Sequence, residues 1–202
     1  MRRIALLLLT FVFAAGLGAC GEDGKKTAAT STTSASTSST TTSTTTAPCN
    51  FAGTTAPQRR NSSAPTTFLL TNVTIAASGC LDTVTFDFRP DGPESEPQYQ
   101  LEYKDPPFAQ SGSGAPVIVP GGAFLVIRFQ PAWIADITQA SAPPSYTGPH
   151  EITATGTSFV KGMALYDAYE AVVGWVIGLD AQHPVRVDET ASPPRLVITV
   201  GP

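Results

Sequence analysis

The chain has 202 residues, 42% hydrophobic and 14% charged, with a formal net charge of -4, 18 prolines, 17 glycines and three cysteines. The weakly acidic balance excludes non-specific nucleic-acid binding, which needs a basic surface. The low charge fraction excludes a highly charged disordered chain, and prolines spread from residue 48 onward exclude a long helical bundle.

Arg2 and Arg3 precede an apolar run over residues 4–15 that only Thr10 interrupts, followed by Leu17-Gly18-Ala19-Cys20. Basic start, apolar run and small residues are the order of a secretory signal. The apolar stretch 4–19 is 16 residues, short of the roughly 20 that cross a bilayer as a helix. Leu17-Gly18-Ala19-Cys20 resembles a bacterial lipobox. That resemblance implies cleavage before Cys20, acylation of its thiol, and anchoring on the outer face of the cytoplasmic membrane. Each buried CH₂ contributes about 0.8 kcal/mol to such an anchor. Loss of residues 1–19 removes Arg2 and Arg3, two cations, and takes the formal charge from -4 to -6.

Residues 27–47 consist of 17 Ser or Thr and four Ala, without a charge. Nothing there can build a core, so residues 20–65 are expected to form a lipidated N-terminus and flexible linker. The Ser/Thr tract spans roughly 25 Å as a coil. The folded domain is expected over residues 66–202, long enough to bury about two-thirds of its unfolded surface.

Within it the period-2 pattern predicts strands in chain order. A weak one covers residues 69–75. In residues 82–88, Val84, Phe86 and Phe88 face one way and Thr83, Thr85 and Asp87 the other. Tyr99, Leu101 and Tyr103 alternate with Gln98, Gln100, Glu102 and Lys104. Leu125, Ile127 and Phe129 alternate with Val126 and Arg128. Trp133, Ile134 and Ile137 fit one face of a short helix. Residues 152–155 are another weak strand, and residues 160–173 are read as strand, turn near Asp167, and strand. Residues 171–179 suggest a strand buried on both faces, residues 185–187 a weak strand, and residues 196–200 a last one. Pro- and Gly-rich turns separate them. Many short strands imply an all-β fold, a single antiparallel β-sandwich.

With Cys20 assigned to lipid, Cys49 and Cys80 remain. In an exported chain the simplest expectation is a disulfide between them, two free thiols being the alternative. A loop of about 30 residues gives a chain-entropy contribution of ~3.5–4 kcal/mol.

No local motif carries catalysis. His150 and His183 each adjoin a proline and lack a partner at metal-ligand spacing, so both are read as surface loop residues. Gly112-Ser113-Gly114 is a turn rather than a nucleophile elbow. A hydrolase assembled from distant residues such as His150 and Asp167 is the weakest reading. Asp91, Glu94 and Glu96 are read as a solvated loop, Asp167 and Glu170 as surface charges, and Asp82 and Arg195 as a structural pair at strand ends. Trp175, inside an apolar run, is read as core. Tyr103, Arg128 and Arg195 are the candidate ligand-facing residues. No catalytic residue, metal or cofactor is expected.

The succession Asp82-Thr83-Val84-Thr85-Phe86-Asp87-Phe88, Tyr99-Gln100-Leu101-Glu102-Tyr103, Gly174-Trp175-Val176-Ile177-Gly178-Leu179 and Pro193-Pro194-Arg195-Leu196-Val197-Ile198 resembles the AMIN-like domain of actinobacterial envelope lipoproteins, over about residues 68–200. Two positions depart from that pattern. Thr83 stands where a basic residue often follows the Asp, and Thr199 where an acidic residue often follows the final Leu-Val-Ile. The resemblance implies a non-catalytic β-sandwich similar to modules that target cell-wall amidases to peptidoglycan. The expected function is therefore a lipid-anchored envelope protein that binds peptidoglycan or a wall-associated protein. The alternative is a solute- or lipid-binding lipoprotein with an apolar cavity.

Overall fold

A computed structural model describes residues 49–61 and 66–202. The segment expected to be a signal peptide, Cys20 and the Ser/Thr tract lie outside the described residues. Two sheets carry the fold. One has six strands in the order β1 (Gln58–Arg60), β4 (Tyr99–Tyr103), β7 (Ala123–Phe129), β11 (Val173–Leu179), β10 (Val160–Asp167) and β9 (Glu151–Thr153). The other has five, in the order β12 (Val185–Ala191), β13 (Pro194–Val200), β3 (Leu81–Asp91), β2 (Thr67–Ser78) and β8 (Ala132–Trp133). A small hairpin, β5 (Phe108–Ala109) and β6 (Pro116–Val117), stands apart from both. Every pairing is antiparallel except β2 with β8, which is parallel.

The alternation in β3 is kept residue by residue, with Val84, Phe86 and Phe88 buried between the sheets. They meet Phe129 and Trp175 from the facing sheet, with ring centroids 5.0 Å apart for Phe86–Phe129, 4.8 Å for Phe88–Phe129 and 6.3 Å for Phe86–Trp175. Tilted and edge-on contacts of this kind add to the gain from burial alone. Side chains thus fill the space between the sheets around these rings.

β2 shows why its pattern is weak in the sequence. A register shift between Leu70 and Asn72 marks a bulge, and the inward set changes phase there, from Phe68 and Leu70 to Val73 and Ile75. A bulge adds one residue to one strand and so breaks the period.

β11 is buried throughout, as its apolar run suggests. Val173, Trp175, Ile177 and Leu179 face the main core. On the other side Val176 joins Val117, Val119, Val126 and Ala164 under the β5–β6 hairpin. Gly178 makes this contact possible, since a Cβ there would sit 2.0 Å from the Pro120 carbonyl oxygen.

Asp82 is fully buried and holds the two sheets together. Its carboxylate accepts the backbone N–H groups of Ser158 (3.1 Å), Phe159 (2.6 Å) and Val160 (2.9 Å). Arg195 pairs instead with Asp87, so the expected Asp82–Arg195 pair is corrected. Asp82 lies opposite Val200 in the ladder, and Arg195 lies opposite Asp87. The departures Thr83 and Thr199 are cross-strand partners. Neither carries a charge, so the two face each other across the ladder with no charge left unpaired.

Three further expectations are corrected. The fold begins before residue 66: β1 pairs with β4, Thr54 bridges Val185, and Cys49 is disulfide-bonded to Cys80. The edge of β4 needs main-chain partners, a demand that apolar periodicity in residues 54–60 does not reveal. Trp133, Ile134 and Ile137 form no helix. Ala132 and Trp133 pair with β2, and Asp136 folds the next residues back through its contacts to Thr138 and Gln139. His183 is half-buried, with its ring 4.4 Å from that of Phe159.

Candidate functional site

The outer face of the six-stranded sheet is divided in two. The β5–β6 hairpin covers one part, where Val117 and Val119 pack on Val126, Ala164 and Val176, and Phe108 lies 5.5 Å from Phe124. The other part stays open. Cross-strand register places Arg59, Gln100, Arg128, Gly174 and Asp167 in one row over β1, β4, β7, β11 and β10. Strands lie about 4.8 Å apart, so the row runs about 19 Å across the strands.

Shallow clefts follow this row. One of about 140 Å³ is lined by Arg60, Asn61, Tyr99, Gln100, Arg128 and Gln130. A second of about 310 Å³ lies beside Arg59, Gln100 and Glu102. A third of about 210 Å³ is bounded by Gln110, Ser111, His150, Tyr166, Asp167 and Tyr169.

Arg128 stands at the middle. Its side chain is 40% exposed, and its Nη2 lies 3.7 Å from Asp167 Oδ2, longer than a hydrogen bond. Its Nε is buried without a hydrogen-bond partner. Gly174 leaves room for the Tyr166 ring, because a Cβ at that position would lie 2.7 Å from a ring carbon. Burial pushes the Tyr166 phenol up to about 12. The Arg128 charge works against that rise, and Asp167 and Glu102 add to it.

The β10–β11 turn closes this end. Glu170 and Ala171 both have positive φ, 51° and 60°, and the Val172 N–H donates to the Tyr169 carbonyl at 3.1 Å. Two successive left-handed residues give the twist that a two-residue hairpin favours, at a cost of roughly 1–2 kcal/mol for each residue other than glycine. The Asp167 carboxylate accepts the Tyr169 N–H at 3.3 Å. The turn leaves Tyr169 57% exposed beside the cleft.

At the opposite end Arg60 bonds Glu96 at 2.9 Å and Glu189 of β12 at 3.4 Å. Gln58 donates to the Val185 carbonyl at 3.3 Å. These bonds close the open side of the sandwich. Burial and the neighbouring Glu189 hold the Tyr99 phenol far above its ordinary range. Glu96, read from the sequence as part of a solvated loop, is tied into this network.

The three candidate ligand-facing residues do not converge. Only Arg128 lies in the row. Tyr103 points inward, its hydroxyl donating to the His183 carbonyl at 2.7 Å and accepting the His183 N–H at 3.1 Å. Burial raises its pKa, and the His183 backbone contact lowers it. Arg195 lies on the outer face of the five-stranded sheet with Asp87, which also accepts Asn72 Nδ2 at 3.1 Å. Arg59, Gln100, Tyr166 and Tyr169 are the additions. The polar phase of β4 already marks Gln100 as outward-facing, whereas Arg59 falls before the expected domain boundary.

Ser111, His150 and Asp167 border the same cleft, the residue types of an acyl-transfer triad. They are not connected as one. Asp167 is engaged by Tyr169 and Arg128, while the His150 ring stacks on Tyr146 with centroids 6.3 Å apart. A relay needs nucleophile, base and orienting acid in hydrogen-bond contact, and no such contact joins these three among the described residues.

The family model described as AMIN-like domain matches residues 68–201. No curated protein matches, and no solved structure does.

Proposed function

The chain belongs to the AMIN-like domain family, and from that premise we propose that it is an exported, non-catalytic envelope protein whose sandwich binds peptidoglycan or a wall-associated protein. Acyl chains on Cys20 anchor it to the outer face of the cytoplasmic membrane, and the Ser/Thr tract carries the domain toward the wall. The observation that carries the binding reading is the open row on the six-stranded sheet. There polar and aromatic side chains line three shallow clefts, next to a part of the same face that the β5–β6 hairpin covers. Mostly open clefts with a few placed polar groups suit a polymer that lies across the surface better than a small enclosed solute. Retention of the purified protein on isolated peptidoglycan, compared with an unrelated lipoprotein domain, tests this. Retention above the control is expected, and retention equal to the control would overturn the proposal.

A further inference from the structure

The row has two chemically different ends. At one, Arg59 and Arg128 flank Gln100 across neighbouring strands. The chain carries a net charge of -4, yet these guanidinium groups gather on one face. Their donors are largely unspent. Arg59 is exposed and makes no ion pair among the described residues, and Arg128, with its side chain 40% exposed, makes only the long ion-pair contact to Asp167. A guanidinium presents a planar fork of donors that matches a carboxylate. At the other end Tyr166 lies over Gly174, and Tyr169 is held out by a turn of two left-handed residues. Backbone strain of this sort persists where the surroundings enforce it, and it concentrates at binding sites. Tyr166 is partly buried against the hairpin cluster, whereas the exposed ring of Tyr169 suits the apolar face of a sugar ring. Arg128 and Asp167 are two strand spacings apart, about 10 Å, and Tyr169 borders the cleft beside Asp167, so a ring near Tyr169 and a charged substituent on Arg128 fit one ligand. Asn61, Gln100 and Gln130 add neutral amides for hydroxyl or acetamido groups.

We infer that this face takes an acidic glycan, with a sugar face on Tyr169 and a carboxylate on Arg128 and Arg59. The inference rests on the wall-binding reading for its biological source, a muramyl peptide, but its chemistry is shared by a uronate polysaccharide.

The test uses the full chain in detergent and four probes: a glucosaminyl-muramyl tetrapeptide with free carboxylates, its methyl ester, an oligogalacturonate, and neutral chitotetraose. Calorimetry is expected to give the free acid an affinity roughly tenfold or more above the ester, the scale of one charged hydrogen-bonded pair. Arg59→Gln and Arg128→Gln erase that preference. Arg128→Lys keeps the charge without the fork and restores only part of it. Tyr169→Ala weakens all four probes by about three- to tenfold. Arg59→Gln touches an exposed side chain with no ion pair, so it separates binding from folding. Equal affinity for acid and ester, or a preference unchanged by Arg128→Gln, would overturn the inference even if the protein is retained on peptidoglycan. Arg128-dependent binding of oligogalacturonate without retention on peptidoglycan would support the inference and overturn the wall-binding reading.

Discussion

Replacing Asp82 should separate the two sheets at one defined point. Its carboxylate satisfies three backbone donors from residues 158–160 and is itself fully buried. In Asp82→Ala the Val160 N–H is orphaned in a fully buried position, while water reaches Ser158, which is exposed. A buried donor left unsatisfied costs about 1–3 kcal/mol, and a hydrogen bond to a charged acceptor is worth about 1.5–3 kcal/mol. With one donor fully penalised, one partly and one hydrated, the loss is about 3–5 kcal/mol. That is a large share of a total stability of roughly 5–15 kcal/mol. At about 2–4 °C per kcal/mol for a domain of this size, the melting temperature falls by roughly 6–20 °C. Asp82→Asn keeps one acceptor oxygen and is expected to lose less, about 2–3 kcal/mol. Urea and thermal unfolding of the oxidised protein measure both variants, with Thr83→Ala on the neighbouring outward position as a control within about 0.5 kcal/mol. A loss below about 1 kcal/mol for Asp82→Ala would refute the reasoning, because it would mean the three donors find other partners.

Asp136 gives a pH signature. The Thr138 hydroxyl, then Arg89 and Gln139, hold its carboxyl far below the usual carboxylate range. A depressed folded pKa contributes stability that is fully present above the unfolded pKa near 3.8 and is lost as pH falls below it. Wild type should therefore lose an increment of melting temperature below about pH 4 that Asp136→Asn lacks, and parallel pH profiles would contradict this. Gly178→Ala should displace the Pro120 carbonyl and loosen the β5–β6 hairpin, with about 1–3 kcal/mol lost and faster amide exchange at Val117 and Val119. Cys20→Ser should remove fatty-acid labelling and shift the protein from the membrane to the soluble fraction, and unchanged partitioning would count against the anchor.

The inward-facing residues were readable because alternation reports burial directly. Val84, Phe86, Phe88, Leu101, Ile127, Phe129 and Trp175 all lie in the core. What alternation does not report is main-chain demand. Arg59 and Arg60 carry no apolar signal, yet β1 is recruited by the unpaired edge of β4. Trp133 looked helical because three apolar residues at helical spacing fit a helix face, but the parallel pairing with β2 and the Asp136 turn took up its backbone. The site was half legible for the same reason. Gln100 and Arg128 sit on the polar phase of well-marked strands, whereas the outward display of Tyr169 depends on a turn formed by Glu170 and Ala171, residues that carry no turn signature. Tyr103 and Arg195 lie outside the row, and their partners, the His183 backbone and Asp87, are remote in sequence.

The Cys49–Cys80 bond also decides where a mechanical load enters the domain. Tension on the chain ahead of Cys49 has a direct path through the sulfur bridge to Cys80, at the turn between β2 and β3, beside the path through the residues between the two cysteines. From Cys80 the pull reaches β3, the middle strand of the five-stranded sheet, clamped by β2 on one side and β13 on the other. The rungs of both ladders then resist together in shear, and Asp82, two residues from the bridge, passes part of the strain to β10 of the opposite sheet. A pull that enters at Cys49 thus reaches the central strand of the five-stranded sheet directly and does not depend on the three-residue β1 alone.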